Sequence, residues 1–199
     1  MKKRAVLFGL FGLLLLLTAC SDKLPIETNM DESVADFSFT NQHNETFGRN
    51  DLEGTWWIAD FVFTNCETVC LPMTSNMAAM QDKIKEEDLP VQLVSFSVDP
   101  EFDQPDVLLE YGEEYGSDFD SWNFLTGYDY ETIRNLSIKS FRAMLKAPQK
   151  SSDDQVMHDT RFFLVDPEGN IVKGYDGVQN STIDEIIDDL QVLQDKNLL

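Results

Sequence analysis

The sequence predicts an α/β domain in which a mixed central β-sheet is flanked by helices, with extra strands on its N-terminal side. Three observations lead there. Residues 56–63 and 91–98 are near-continuous apolar runs, the composition of strands covered on both faces. Each run is followed by helical spacing: Met73, Met77, Met80 and Ile84 after the first, and residues 105–115 after the second. Finally, Asp166-Pro167-Glu168-Gly169-Asn170 separates two short apolar stretches with the turn residues of a β-hairpin.

The remaining elements fall into place along the chain. Phe37 and Phe39 alternate with polar residues as in a half-buried strand, and residues 41–48 read as the turn of a hairpin. Residues 122–126 form a short strand, residues 130–145 a helix, and residues 147–156, with Pro148 and a Ser-Ser-Asp-Asp run, an exposed loop. The last helix is amphipathic through Ile183, Ile186, Ile187, Leu190 and Leu193, and Thr182-x-x-Glu185 offers it a capping box. This order is that of a thioredoxin-like domain with added N-terminal strands. In such open sheets, ligands collect beyond the C-terminal ends of the strands.

The N-terminus carries a targeting signal. Lys2, Lys3 and Arg4 precede an apolar run over residues 5–17 that is short of the ~20 residues a bilayer span needs. It reads as the core of a bacterial secretory signal. Leu17-Thr18-Ala19-Cys20 resembles a lipoprotein processing site, which makes Cys20 the acylated first residue of the mature chain. The expected organisation is therefore a signal peptide at 1–19, a lipidated cysteine and polar tether at 20–34, and one domain at 35–199. The expected location is the extracytoplasmic face of the bacterial cell membrane, held by the lipid. A flexible tether of this length would hold the domain about 20 Å from its anchor.

Loss of residues 1–19 leaves 12 Lys and Arg against 36 Asp and Glu, a net charge of −24. So acidic a surface repels nucleic acid and anionic headgroups, which excludes both as partners. A protein partner should instead present a basic or metal-bearing face. The domain is expected to be a monomer.

Chemistry concentrates at Cys66 and Cys70, the only cysteines besides Cys20, at the junction of a central strand and a helix. The five-residue loop that a disulfide would close removes little entropy from the unfolded chain, so structural stapling is a weak reason for the pair. A redox pair and a metal site both remain. The helix N-terminus favours thiolate, whereas Glu67 and the acidic background oppose it; a bound cation would displace the proton. His158 enters at the start of the strand Arg161–Val165, where it can face the thiols across the strand ends. Two thiolates and an imidazole suit copper. Zinc would need a fourth ligand or a water, for which Asp99 or Asp159 are the oxygen candidates. Met73, Met77 and Met80 read as core filler, Met157 adjoins His158, Trp56 and Trp57 are sheet aromatics, and His43 sits in a polar turn.

Residues 63–70 (Phe-Thr-Asn-Cys-Glu-Thr-Val-Cys), residues 95–100 (Ser-Phe-Ser-Val-Asp-Pro) and His158 ahead of Phe162-Phe163-Leu164-Val165-Asp166-Pro167 together resemble the Sco/SenC family, especially its Gram-positive lipoproteins. The resemblance implies Cys66, Cys70 and His158 as copper ligands. It also implies copper delivery to the dinuclear copper centre of cytochrome c oxidase, with the copper-bearing oxidase subunit as partner. Many members have proline after each cysteine; here Glu67 and Leu71 stand in those places. A rival expectation is an enzyme, a thiol-disulfide oxidoreductase that reduces the oxidase's copper-site cysteines. A third is a peroxidase, which would need an electropositive pocket built with Arg142 or Arg161.

Overall fold

The computed structural model describes residues 23–65, 70–146 and 156–199, with Cys70 described in its backbone alone. In chain order the elements are β1 (Glu32–Ser33), β2 (Ser38–Asn41), β3 (Thr46–Gly48), β4 (Trp56–Val62), α1 (Cys70–Glu86), β5 (Val91–Ser97), α2 (Pro105–Glu114), β6 (Trp122–Thr126), α3 (Tyr130–Phe141), β7 (Leu145–Lys146), β8 (Met157–His158), β9 (Arg161–Val165), β10 (Asn170–Asp176) and α4 (Ser181–Asp195). Among the described residues, eight strands form one sheet in the order β1-β10-β9-β4-β5-β6-β2-β3, and β7 pairs with β8 apart from it. The β4, β5 and β6 strands are parallel, and β9 lies antiparallel to β4 on its other side. The mixed, helix-flanked sheet that the sequence predicts is thus present, and its extra N-terminal strands are β1, β2 and β3.

Side-chain alternation on β4 divides the core in two. Ile58 and Val62 face a layer with Met73, Met77 and Met80 of α1 and Ile183, Ile186 and Leu190 of α4. Trp57, Ala59 and Phe61 face the opposite layer, with Ile133, Leu136 and Phe141 of α3. The three methionines are fully buried. Each contributes about 1.5–3 kcal/mol by leaving water, so their spacing serves packing.

Four local expectations change. Residues 41–48 are more than a turn, because Thr46–Gly48 forms β3 against β2. The helix expected over 130–145 ends at Phe141: Arg142 takes the left-handed conformation (φ 45°), and the Ala143 N–H and carbonyl are taken up by Ser137. Leu145 keeps the helical spacing but is buried through β7 instead. The capping box at Thr182 is not formed, since Asn180 is the N-cap of α4, Thr182 is buried and Glu185 pairs with Lys173 (3.0 Å).

The fourth change concerns the expected tether. From Lys23 onward the chain is fastened to the domain. Leu24 and Ile26 pack against the α1/α4 layer, Asn29 exchanges two hydrogen bonds with the Gly174 backbone (3.0 and 2.8 Å), and Glu32–Ser33 adds a strand to β10. Two apolar side chains in a polar stretch have no periodicity to betray them, yet they pack on the core layer that includes Val172. Cys20 and the signal segment lie outside the described residues.

Candidate metal centre

Three chain segments meet at one edge of the sheet. The parallel strands β4 and β5 end there, joined by the bond from Val98 N to Val62 O (2.8 Å). Running antiparallel to β4, β9 begins at that edge. The chain leaves β4 through Phe63, Thr64 and Asn65 and re-emerges at Cys70, the first residue of α1. Cys66 and the side chain of Cys70 lie outside the described residues, so their expected pairing carries no geometry here. Pro72 falls in the first turn of α1, where a missing N–H breaks no helical bond.

His158 is held from three directions. The ring is 8 % exposed and stands edge-on to Phe63, with centroids 5.7 Å apart and planes at 87°. Its backbone is paired with Leu145 through the β7–β8 ladder. Nδ1 lies 2.8 Å from the Asp159 carbonyl oxygen, an atom that can only accept. Nδ1 therefore donates its proton to that carbonyl, which leaves Nε2 as the nitrogen through which the neutral ring would bind a metal. Phe63, three residues before Cys66, thus braces the imidazole that the sequence places with the thiols.

The two candidate oxygen ligands separate. Asp159 is committed to Arg161: Oδ1 accepts from the Arg161 backbone N (3.0 Å) and Nε (2.8 Å), and Oδ2 accepts from a terminal guanidinium nitrogen (2.7 Å). Burial would raise its carboxyl, but the hydrogen bonds and charge of Arg161 outweigh burial and hold it below the ordinary value. Asp99 is half-buried, and its carbonyl closes the turn by accepting from Phe102 N (3.0 Å) and Asp103 N (2.9 Å). Its carboxyl is raised by burial and by the charge of Glu101. His43 is exposed in its hairpin turn, its ring against Phe119. Met157 points outward, 57 % exposed, beside buried His158.

Two buried carboxyls escaped the sequence reading. Asp60, the one charged residue in the apolar run 56–63, is fully buried on the α1 face of β4, and among the described residues neither oxygen makes a hydrogen bond of ordinary geometry. Burial lifts it to about 7, partly offset by the neighbouring Ser95 hydroxyl and by the charge His158 can carry. The other, Asp103 after β5, is fully buried and bonded to Thr64 and Ser97. A lone acid inside a strand core is a readable signal; Asp103, in a polar loop, has none. Both arginines proposed for a peroxidase pocket are engaged, Arg142 with Glu32 and Arg161 with Asp159 and the face of Phe163. Among the described residues no group of three His, Cys, Asp or Glu converges on a metal position.

Comparison with known proteins adds to this geometry. Residues 26–194 match the family model SCO1/SenC. A SCO1/SenC family lipoprotein from Bacillus anthracis superposes with a TM-score of 0.77 at 44 % identity, covering 82 % of this chain and 95 % of that one. BsSco, a member of the Sco family of cytochrome c oxidase assembly proteins in which a disulfide switch was identified, gives 0.76 at 43 % identity over 83 % and 95 % of the two chains. ScoI from Arabidopsis thaliana, solved with copper bound, gives 0.68 at 30 % identity over 81 % and 98 %.

Proposed function

The chain belongs to the SCO1/SenC family, and from that premise we propose that it is a lipid-anchored, extracytoplasmic copper chaperone. It holds copper through Cys66, Cys70 and His158 and passes it to the dinuclear copper centre of cytochrome c oxidase. The observation that carries this reading is the setting of His158. A buried imidazole, braced by Phe63 and fixed as the Nδ1–H tautomer by the Asp159 carbonyl, presents a lone pair that disulfide exchange does not need. Thiolates and an imidazole form a soft donor set suited to copper, and ScoI, a relative of the same fold, was solved with copper bound. Asp159, bound on both oxygens by Arg161, is a support for the imidazole and not a fourth ligand.

A second reading keeps the same cysteines as a thiol-disulfide oxidoreductase, favoured by the disulfide switch identified in BsSco. There one thiolate attacks a partner disulfide to form a mixed disulfide, and the other displaces the partner's second thiolate. Cys66 and Cys70 lose two electrons as a disulfide while the partner gains two thiols. The His158→Ala variant separates the readings. For a chaperone, copper affinity falls by an expected 10–100-fold and cells at limiting copper assemble little oxidase, while exchange at the two sulfurs persists. Wild-type oxidase assembly by His158→Ala, at equal protein level and limiting copper, would overturn the chaperone reading in favour of the oxidoreductase.

A further inference from the structure

The Thr64–Asn65 turn that delivers Cys66 is tied down from outside its own strand. Thr64 gives the Asp103 carboxylate both its donors: the hydroxyl reaches Oδ1 at 2.6 Å, and the backbone N–H lies 3.3 Å from each oxygen. On its other side Oδ2 accepts from the Ser97 hydroxyl at 2.5 Å. That hydroxyl in turn accepts from Asp99 N (3.1 Å), and the Tyr128 hydroxyl sits against the Ser97 carbonyl (2.8 Å). The carboxylate is fully buried, so water does not compete for these bonds. A buried acid is costly to keep, and among the described residues this one accepts from two only, three of its four contacts coming from the backbone and side chain of Thr64 and one from Ser97.

We propose that Asp103 is a positioning residue for the Cys66 thiol: by clamping Thr64 it sets where that sulfur stands relative to His158. Adjacent residues split the task. Phe63 braces the imidazole on one side of β4, and Thr64 is locked to the β5–α2 loop by the carboxylate on the other. Asp103 thereby acts on the thiol through Thr64, two residues before Cys66. Groups that orient ligands in this way typically change metal affinity 10–100-fold when removed.

The metal readout of this proposal rests on the copper reading above, and a second readout is independent of it. The full-length chain in detergent is compared with Asp103→Asn, Thr64→Val and Thr64→Ser. The first measurement is the thiolate-to-copper charge-transfer band and copper affinity. The second is the ratio of iodoacetamide alkylation rates at Cys66 and Cys70 in the reduced, metal-free protein, read by peptide mass. Asp103→Asn and Thr64→Val should shift the band, weaken copper 10–100-fold and change the alkylation ratio several-fold, whereas Thr64→Ser, which restores the hydroxyl, should match wild type. A residue that merely stabilised the loop would lower the melting temperature and leave the band and the ratio alone; that pattern overturns the proposal. So does equal impairment in Thr64→Ser and Thr64→Val. Should Asp103→Asn fail to fold, the two Thr64 variants decide. If wild type binds copper no better than the Cys66→Ser/Cys70→Ser double variant, the copper reading fails and the alkylation ratio still decides the positioning role.

Discussion

Asp60 shows what one side chain can contribute to pH dependence. Its carboxyl titrates near 7 in the folded protein and near 3.8 in an ordinary setting, so the folded state holds the proton more tightly than the unfolded chain. The burial penalty is absent below about pH 4, grows as pH rises through the window between these values, and is complete above 7. A difference of this size corresponds to about 4 kcal/mol, since one unit is worth 1.36 kcal/mol. Urea unfolding of Asp60→Asn against wild type should therefore show little difference at pH 4 and a clear gain in stability for the variant at pH 8. Equal pH slopes for the two proteins would show that Asp60 stays charged at neutral pH. The sequence holds a signal for it, one acid among apolar neighbours, which the expected site residues did not include. What it meets was not legible, because its surroundings come from β5 and from the chain before β9, far away in sequence.

Among the elements, the two-residue strands β7 and β8 matter most for the site. Leu145, 2 % exposed, stands opposite His158 in this ladder. Leu145→Ala should cost about 2–5 kcal/mol, the range for truncating a buried leucine. It should also weaken copper binding several-fold although no proposed ligand is altered. Were residue 145 the last turn of a helix, stability would fall and copper binding would not; a titration and a thermal melt on one preparation distinguish these outcomes. Sequence periodicity could not reveal the ladder, since two residues hold no period and Leu145 lies four after Phe141, as on a helix face. By contrast, residues 122–126 and the first strand of the hairpin were legible to the residue. Their apolar runs are long enough to carry their own signature.

For the whole molecule, stability and loading are linked. Copper that binds the native state and not the unfolded chain raises the melting temperature, by about 2.7 kcal/mol of stabilisation at a hundredfold excess over Kd. The expectation holds for the reduced protein only, because a Cys66–Cys70 disulfide removes both thiolates. Calorimetry on reduced and oxidised chains, with and without copper, checks it; a copper-induced rise in the oxidised form would point to a different site. The domain's α/β class was legible because strands and helices alternate along the chain, whereas the order of strands in the sheet was not read from it. Nor was the path of residues 23–33, because its anchoring partners lie on β10.

That path has a mechanical consequence. Residues 23–31 share a surface with Asn170, Ile171 and Val172 at the start of β10, while Asp176 at its other end pairs with Arg161 on the side where His158 lies. With Cys20 acylated, only Ser21 and Asp22 separate the lipid from the fastened chain, a span of about 10 Å at full stretch. On that reading the bilayer would lie within a few residues of the domain, not at the far end of a free thirteen-residue coil. A partner held in the same membrane would then meet it at a high effective concentration without any added affinity.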